Sequence, residues 1–136
     1  TAEEPEMSGS GTPEDPWVLT TPSGGSEYTM HRDGDLLVCQ VGKTKLTYLY
    51  RALDDLHAFL AAEGGWVLLG GADEQKPAAD GTVEAWGRSE SNPVGGWYGQ
   101  KKGLRGRFGV YVPPMLAALG RAELKVEARK AYARAL

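Results

Sequence analysis

The chain has 136 residues and a mass of 14.6 kDa, the size of one ordinary domain. Its 41% hydrophobic and 24% charged residues are globular averages and exclude a wholly disordered or fibrous protein. No apolar run approaches the ~18–20 residues that span a bilayer, and one cysteine with two histidines supplies neither an internal disulfide nor the usual zinc ligand set.

Residues 1–15 read as a disordered leader rich in Glu, Pro, Ser and Gly, ahead of one domain over 16–136. The polar, acidic start does not resemble a signal peptide, and with a lone cysteine the expected setting is reducing and cytoplasmic. Trp17–Thr20 is expected as a first edge strand. Glu27–His31, Leu36–Val41 and Thr44–Tyr50 are rich in β-formers, with turn signals at Asp33-Gly34 and Gly42-Lys43. Two-residue loops of type I′ and II′ there would place Arg32 opposite Asp35 and Tyr28 opposite Cys39. In the second hairpin Val41 would face Thr44, and Cys39 would face Leu46. Alternation then puts Tyr28, Met30, Leu37, Cys39, Val41, Leu46 and Tyr48 on one apolar face. The other face is mixed: Thr29, His31, Leu36, Val38, Gln40, Lys45, Thr47 and Leu49.

Arg51–Glu63 is expected as an amphipathic helix. Leu53, Leu56 and Leu60 fall at helical spacing, Asp54 and Asp55 sit in the first turn, and Gly64-Gly65 ends it. Trp66–Leu69 reads as a strand. Glycine, 19 in the chain, concentrates between residues 64 and 109. There Gly70–Gly81 reads as a loop, Thr82–Arg88 as a short helix capped by Asp80 or Thr82, and 89–103 as irregular. Leu104, Gly106, Phe108, Val110 and Val112 alternate with Arg105, Arg107, Gly109 and Tyr111, the pattern of a strand. Residues 112–120 form a short helix with prolines in its first turn. Residues 122–128 alternate as a strand, and a helix running to Leu136 competes on composition. The expected class is α+β: an antiparallel sheet built on the 27–50 meander, packed against helix 51–63, with a Gly-rich C-terminal half.

Chemistry is harder to find. Gly42-Lys43-Thr44 lacks the upstream glycine and following helix of a phosphate-binding P-loop. Cys39 and His31 fall on opposite faces of the hairpin and cannot pair as a thiol nucleophile with its base. The acidic pairs Asp33/Asp35, Asp54/Asp55 and Asp73/Glu74 have local explanations in a turn, a helix start and a loop. No catalytic signature emerges, and no metal or cofactor is expected. If the protein were an enzyme, Asp73, Glu74, Glu84, Arg88 and His57 would be its pool of groups.

Charge is distributed unevenly. Residues 1–100 carry a balance of −10, and residues 101–136 one of +7. Such a basic tail either packs on the acidic body or meets an anion. Residues 92–109 combine six glycines with Lys101, Lys102, Arg105 and Arg107, which attract phosphate or carboxylate, and with Trp97, Tyr98 and Phe108, which offer stacking faces. These seven side chains are the candidate ligand-binding residues. The expected partner is a phosphorylated metabolite or short nucleic acid rather than a membrane. The alternatives are an interaction protein, such as a homodimer, and a small enzyme.

The runs Gly11-Thr-Pro-Glu-Asp-Pro-Trp17, Glu27-Tyr-Thr-Met30, Ala72-Asp-Glu-Gln-Lys-Pro77, Gly81-Thr-Val-Glu-Ala-Trp-Gly-Arg-Ser89 and Asn92-Pro-Val-Gly-Gly-Trp-Tyr-Gly99 resemble a family of small bacterial hypothetical proteins. The resemblance spans about residues 11–136. It implies a bacterial, soluble, single-domain protein, and it carries no activity, cofactor or catalytic residue.

Overall fold

The computed structural model describes residues 11–22, 26–71, 75–99, 107–128 and 130–136. The first half is an antiparallel sheet of four strands in sequence order: β1 (Trp17–Thr20), β2 (Glu27–Asp33), β3 (Leu36–Val41) and β4 (Thr44–Leu49). Among the described residues β1 pairs only with β2 and is an edge, as its position in the sequence implies. Of the expected leader, residues 11–15 are described and form a turn. Gly11 and Asp15 are bonded, and the Arg32 N–H donates to the Gly11 carbonyl, which ties the turn to β2.

The second hairpin has the expected register, with Val41 opposite Thr44 and Cys39 opposite Leu46. The first is shifted by two residues. Met30, not Tyr28, faces Cys39, and Asp33 faces Leu36, so the loop is Gly34-Asp35 rather than Asp33-Gly34. A type I′ turn over Asp33-Gly34 would need positive φ at both residues. With the loop moved on by one, Gly34 alone takes it (φ 61°), and glycine has no Cβ to oppose that conformation. The displaced loop also frees the Asp35 carbonyl to accept the Tyr50 N–H at 2.7 Å. A shift of two preserves the alternation, so the apolar face survives: Tyr28, Met30, Leu37, Cys39, Leu46 and Tyr48 are buried, and His31 is half-buried on the other side. Val38, on that mixed face, is buried as well.

Helix α1 (Ala52–Glu63) buries Ala52, Leu53, Leu56 and Leu60. It ends at Gly64 in the left-handed region (φ 75°), whose N–H returns to the Leu60 carbonyl. A two-residue strand β5 (Val67–Leu68) follows, and then α2 (Val83–Trp86), where the Thr82 hydroxyl accepts the Ala85 N–H at 3.1 Å as N-cap.

The main departure from the sequence reading is α3 (Phe108–Ala118). The described part of the expected strand over 104–112 is the start of this helix, and Pro113 and Pro114 lie inside it rather than in its first turn. Phe108, Gly109 and Tyr111–Leu116 are all buried. A helix buried on every side needs no polar face, so alternation in its first residues carries no information about conformation. Each proline removes the N–H that would reach back to the Gly109 or Val110 carbonyl.

The C-terminus is a hairpin, β6 (Ala122–Glu127) and β7 (Lys130–Ala135), and the competing helix is not formed. With β5 it makes a second antiparallel sheet in the order β5-β7-β6. Alanines at 122, 131, 133 and 135 line one side with Leu124 and Val126. Glu123, Lys125, Tyr132 and Arg134 stand on the other, where Arg134 pairs with Glu123 at 2.6 Å and Lys125 lies over the Tyr132 ring.

The fold is α+β, and α1 and α3 share one core with both sheets. Tyr111 of α3 meets Tyr28 of β2 edge-on at 5.0 Å, and its carbonyl accepts the Tyr28 hydroxyl at 2.7 Å. Phe108 meets Tyr48 of β4 at 5.9 Å. α1 lies against α3 and β7. No described helix is long and apolar enough to cross a membrane.

Candidate ligand-binding region

Of the seven candidate residues, Trp97, Tyr98, Arg107 and Phe108 are described, while Lys101, Lys102 and Arg105 lie outside the described residues. The structure separates the aromatic members. Tyr98 and Phe108 are 1% and 2% exposed and stack on one another at 5.2 Å. Trp86 tilts against both, at 5.5 and 6.0 Å, and itself stacks on Phe59 of α1 at 4.8 Å. These rings form an aromatic core whose faces are already covered. The Tyr98 hydroxyl donates to Asp55 Oδ2 at 2.9 Å, and burial together with this bond pushes its phenol well above the ordinary tyrosine range. Trp97 is half-buried, with the Arg88 guanidinium over its ring at 4.6 Å.

The glycines before Trp97 are accounted for by Asn92. This buried side chain donates to the Trp86 and Gly96 carbonyls and accepts the Val94 and Gly96 N–H groups, so its amide closes the turn over residues 92–96. Gly95, with φ 78°, fits the turn for lack of a Cβ. Beyond it the chain is pinned to the first sheet: Leu49 donates its N–H to the Tyr98 carbonyl at 3.0 Å, and Tyr48 bridges Gly99.

Below this turn lies Glu84, fully buried on α2. Its carboxylate takes the Arg88 Nε–H at 2.9 Å and, through Oε1, the Gly109 N–H at 2.8 Å. It therefore neutralises a partly buried guanidinium and receives one of the orphan donors at the start of α3. Arg88 also donates to the Lys76 carbonyl at 2.6 Å. The spacing of Glu84 and Arg88, four residues apart, is the signal in the sequence for their pairing. Nothing local signals that Gly109, 25 residues on, completes the arrangement. Arg107 is exposed, in the left-handed region (φ 64°), and its carbonyl accepts the N–H groups of Val110 and Tyr111.

The remaining groups with possible chemistry are dispersed. His57 Nε2 lies 3.1 Å from the Leu136 carbonyl on the far side of α1. Cys39 is buried, and burial pushes its thiol far above the range in which a nucleophilic thiolate forms. Asp73 and Glu74 lie outside the described residues. Gly42-Lys43-Thr44 is a hairpin turn. Of the basic tail, Arg121 reaches the acidic body, pairing with Asp54 at 2.6 Å.

An α+β domain with a buried aromatic core is the class these observations define. The chain belongs to a family of unknown function, DUF6855, whose model matches residues 9–136. No curated protein and no solved structure matches it.

Proposed function

We propose that this domain is a binding module for a small anionic ligand, held by the basic segment between Tyr98 and Phe108. One observation supports the reading: the stacking of those two rings at 5.2 Å. It holds the residues at both ends of the segment side by side, so the nine residues that carry Lys101, Lys102, Arg105 and Arg107 span a short distance. Four cations in so short a span suit phosphate or carboxylate groups. The acidic balance of the first hundred residues opposes an extended polyanion, which favours a phosphorylated metabolite or short oligonucleotide over duplex DNA. Trp97 is the candidate aromatic at the mouth of the segment, since Tyr98 and Phe108 serve the core.

The test is a panel of nucleotides and sugar phosphates by thermal shift, with short labelled oligonucleotides by fluorescence anisotropy at low salt. Arg105→Ala with Arg107→Ala is expected to weaken binding and reduce its salt dependence by about 0.7 per contact on a single strand. Trp97→Ala is expected to weaken binding and leave the slope unchanged. Flat responses in a folded sample overturn the reading.

The second reading is an interaction protein, such as a homodimer, and β6 favours it. This strand is an edge of the second sheet, with the side chain of Val126 exposed at 52%. A concentration-independent monomer in sedimentation velocity would remove it. A reducing, cytoplasmic setting is the one that suits a lone, buried, unbridged cysteine.

A further inference from the structure

A second feature lies away from the aromatic core. A cleft of about 370 Å³ opens between the end of β1, the chain leaving β5, the first turn of α3 and the start of β7. That is within the ~300–1,000 Å³ range of ligand pockets, at its lower end. Leu68, Leu69, Val110 and Ala131 give it apolar walls, and Gly70 and Gly71 leave one side as bare backbone.

The walls are held by contacts that no ligand is needed to form. Leu69 donates its N–H to the Ala131 carbonyl at 2.9 Å, and its own carbonyl accepts the Glu84 N–H at 2.9 Å. Gly109 packs so closely there that a Cβ would fall 2.6 Å from the Leu69 oxygen. A Cβ on Gly71 would overlap the Val110 side chain. The glycines thus bring α3 against the backbone of 69–71, and the cleft stays open where β5 stops after Leu68 and the chain turns away from β7.

Lys130 lines the same cleft. It is exposed and makes no ion pair with the described residues. Its cross-strand neighbour Glu127 reaches Lys125 instead, at 3.8 Å. An apolar recess with one cation that pairs with none of the described residues complements a molecule with an apolar body and one negative end.

We propose that this cleft binds a small amphiphilic monoanion, an acyl or aryl chain ending in a carboxylate, with the chain against Leu68 and Val110 and the carboxylate on Lys130. The site shares no residue with the basic segment above and stands or falls separately from it.

Sodium octanoate is the probe, with octanol as its uncharged counterpart and acetate as the headgroup alone, followed by methyl NMR on the full chain. Octanoate is expected to give saturable shifts at Leu68, Leu69, Val110 and Ala131, and acetate none. Lys130→Gln, at an exposed position, is expected to weaken octanoate about two- to five-fold and leave octanol unchanged. Val110→Phe fills the recess and is expected to abolish binding of both. Should that variant fail to fold, Ala131→Val narrows the same space with two carbons. Replacing Lys101, Lys102 and Arg105 together by Ser is expected to leave octanoate binding intact, which distinguishes this site from the segment proposed above. Absence of saturable shifts, or octanoate affinity indifferent to Lys130→Gln, or loss of binding in the triple variant, would each overturn the assignment.

Discussion

Alternation alone puts Cys39 on the apolar face, and it lies there fully buried beside Tyr28 and Tyr48 in the core. Burial holds the protons on these three groups far beyond the pH at which the unfolded chain releases them, near 9.0 for the thiol and 10.0 for the phenols. Their folded-state pKa values are raised, so the stability they contribute is complete below pH 9. It falls as pH rises, by about 1.4 kcal/mol per pH unit for each group that is ionised only when unfolded. Thermal unfolding between pH 7 and 11 should show a midpoint constant to about 9 and falling above it. Cys39→Ala should move the onset toward 10. Glu84 is the other residue whose role depends on burial. Glu84→Ala leaves the Arg88 guanidinium and the Gly109 N–H without it in the interior, and the expected loss is about 3–5 kcal/mol in urea unfolding. Glu84→Gln, which keeps an acceptor for Gly109, should lose less.

Elements with a local signal were legible at the scale of a few residues. α1 has its leucines at helical spacing, its acids at the start and its glycine at the stop, and it forms where those signals place it. The Thr82 cap does the same for α2. The first hairpin was legible in kind and shifted in register, because the sequence offers Asp-Gly and Gly-Asp as alternative loops, and backbone strain on Asp33 decides between them. Gly34→Ala should therefore cost about 1–2 kcal/mol, since alanine would be held at φ 61°. Gly65→Ala, at ordinary φ with open space around its Cα, should change stability by less than about 0.5 kcal/mol. Chemical denaturation of the two variants side by side checks the pair. The start of α3, before the helix expected over 112–120, and β7 were the stretches without a readable signal. In α3 every side is buried, and the period that distinguishes helix from strand is lost. In β7, Lys-Ala-Tyr-Ala-Arg-Ala has helical composition, and the strand forms because β5 and β6 pair with it from either side.

For the whole molecule, the sequence by itself determined the class, the meander with its apolar face, the helix after it and the location of excess positive charge. Each of these depends on neighbours a few residues apart, through alternation, helical spacing, turn chemistry or a count of charges. Tertiary structure decided how the aromatic residues of the basic segment are used. Trp97, Tyr98 and Phe108 look alike in sequence, yet two of them close the core against Trp86 and Phe59 and only Trp97 keeps a partly exposed ring. Tyr98→Ala and Phe108→Ala should accordingly destabilise the fold by about 3–5 kcal/mol, and Trp97→Ala by clearly less, in the same unfolding assay. The Glu84–Gly109 bond and the cleft beside Lys130 were likewise invisible in the sequence. They join segments separated by 20 residues or more, and whether a side chain there is core, partner or ligand contact depends on which distant backbone packs against it.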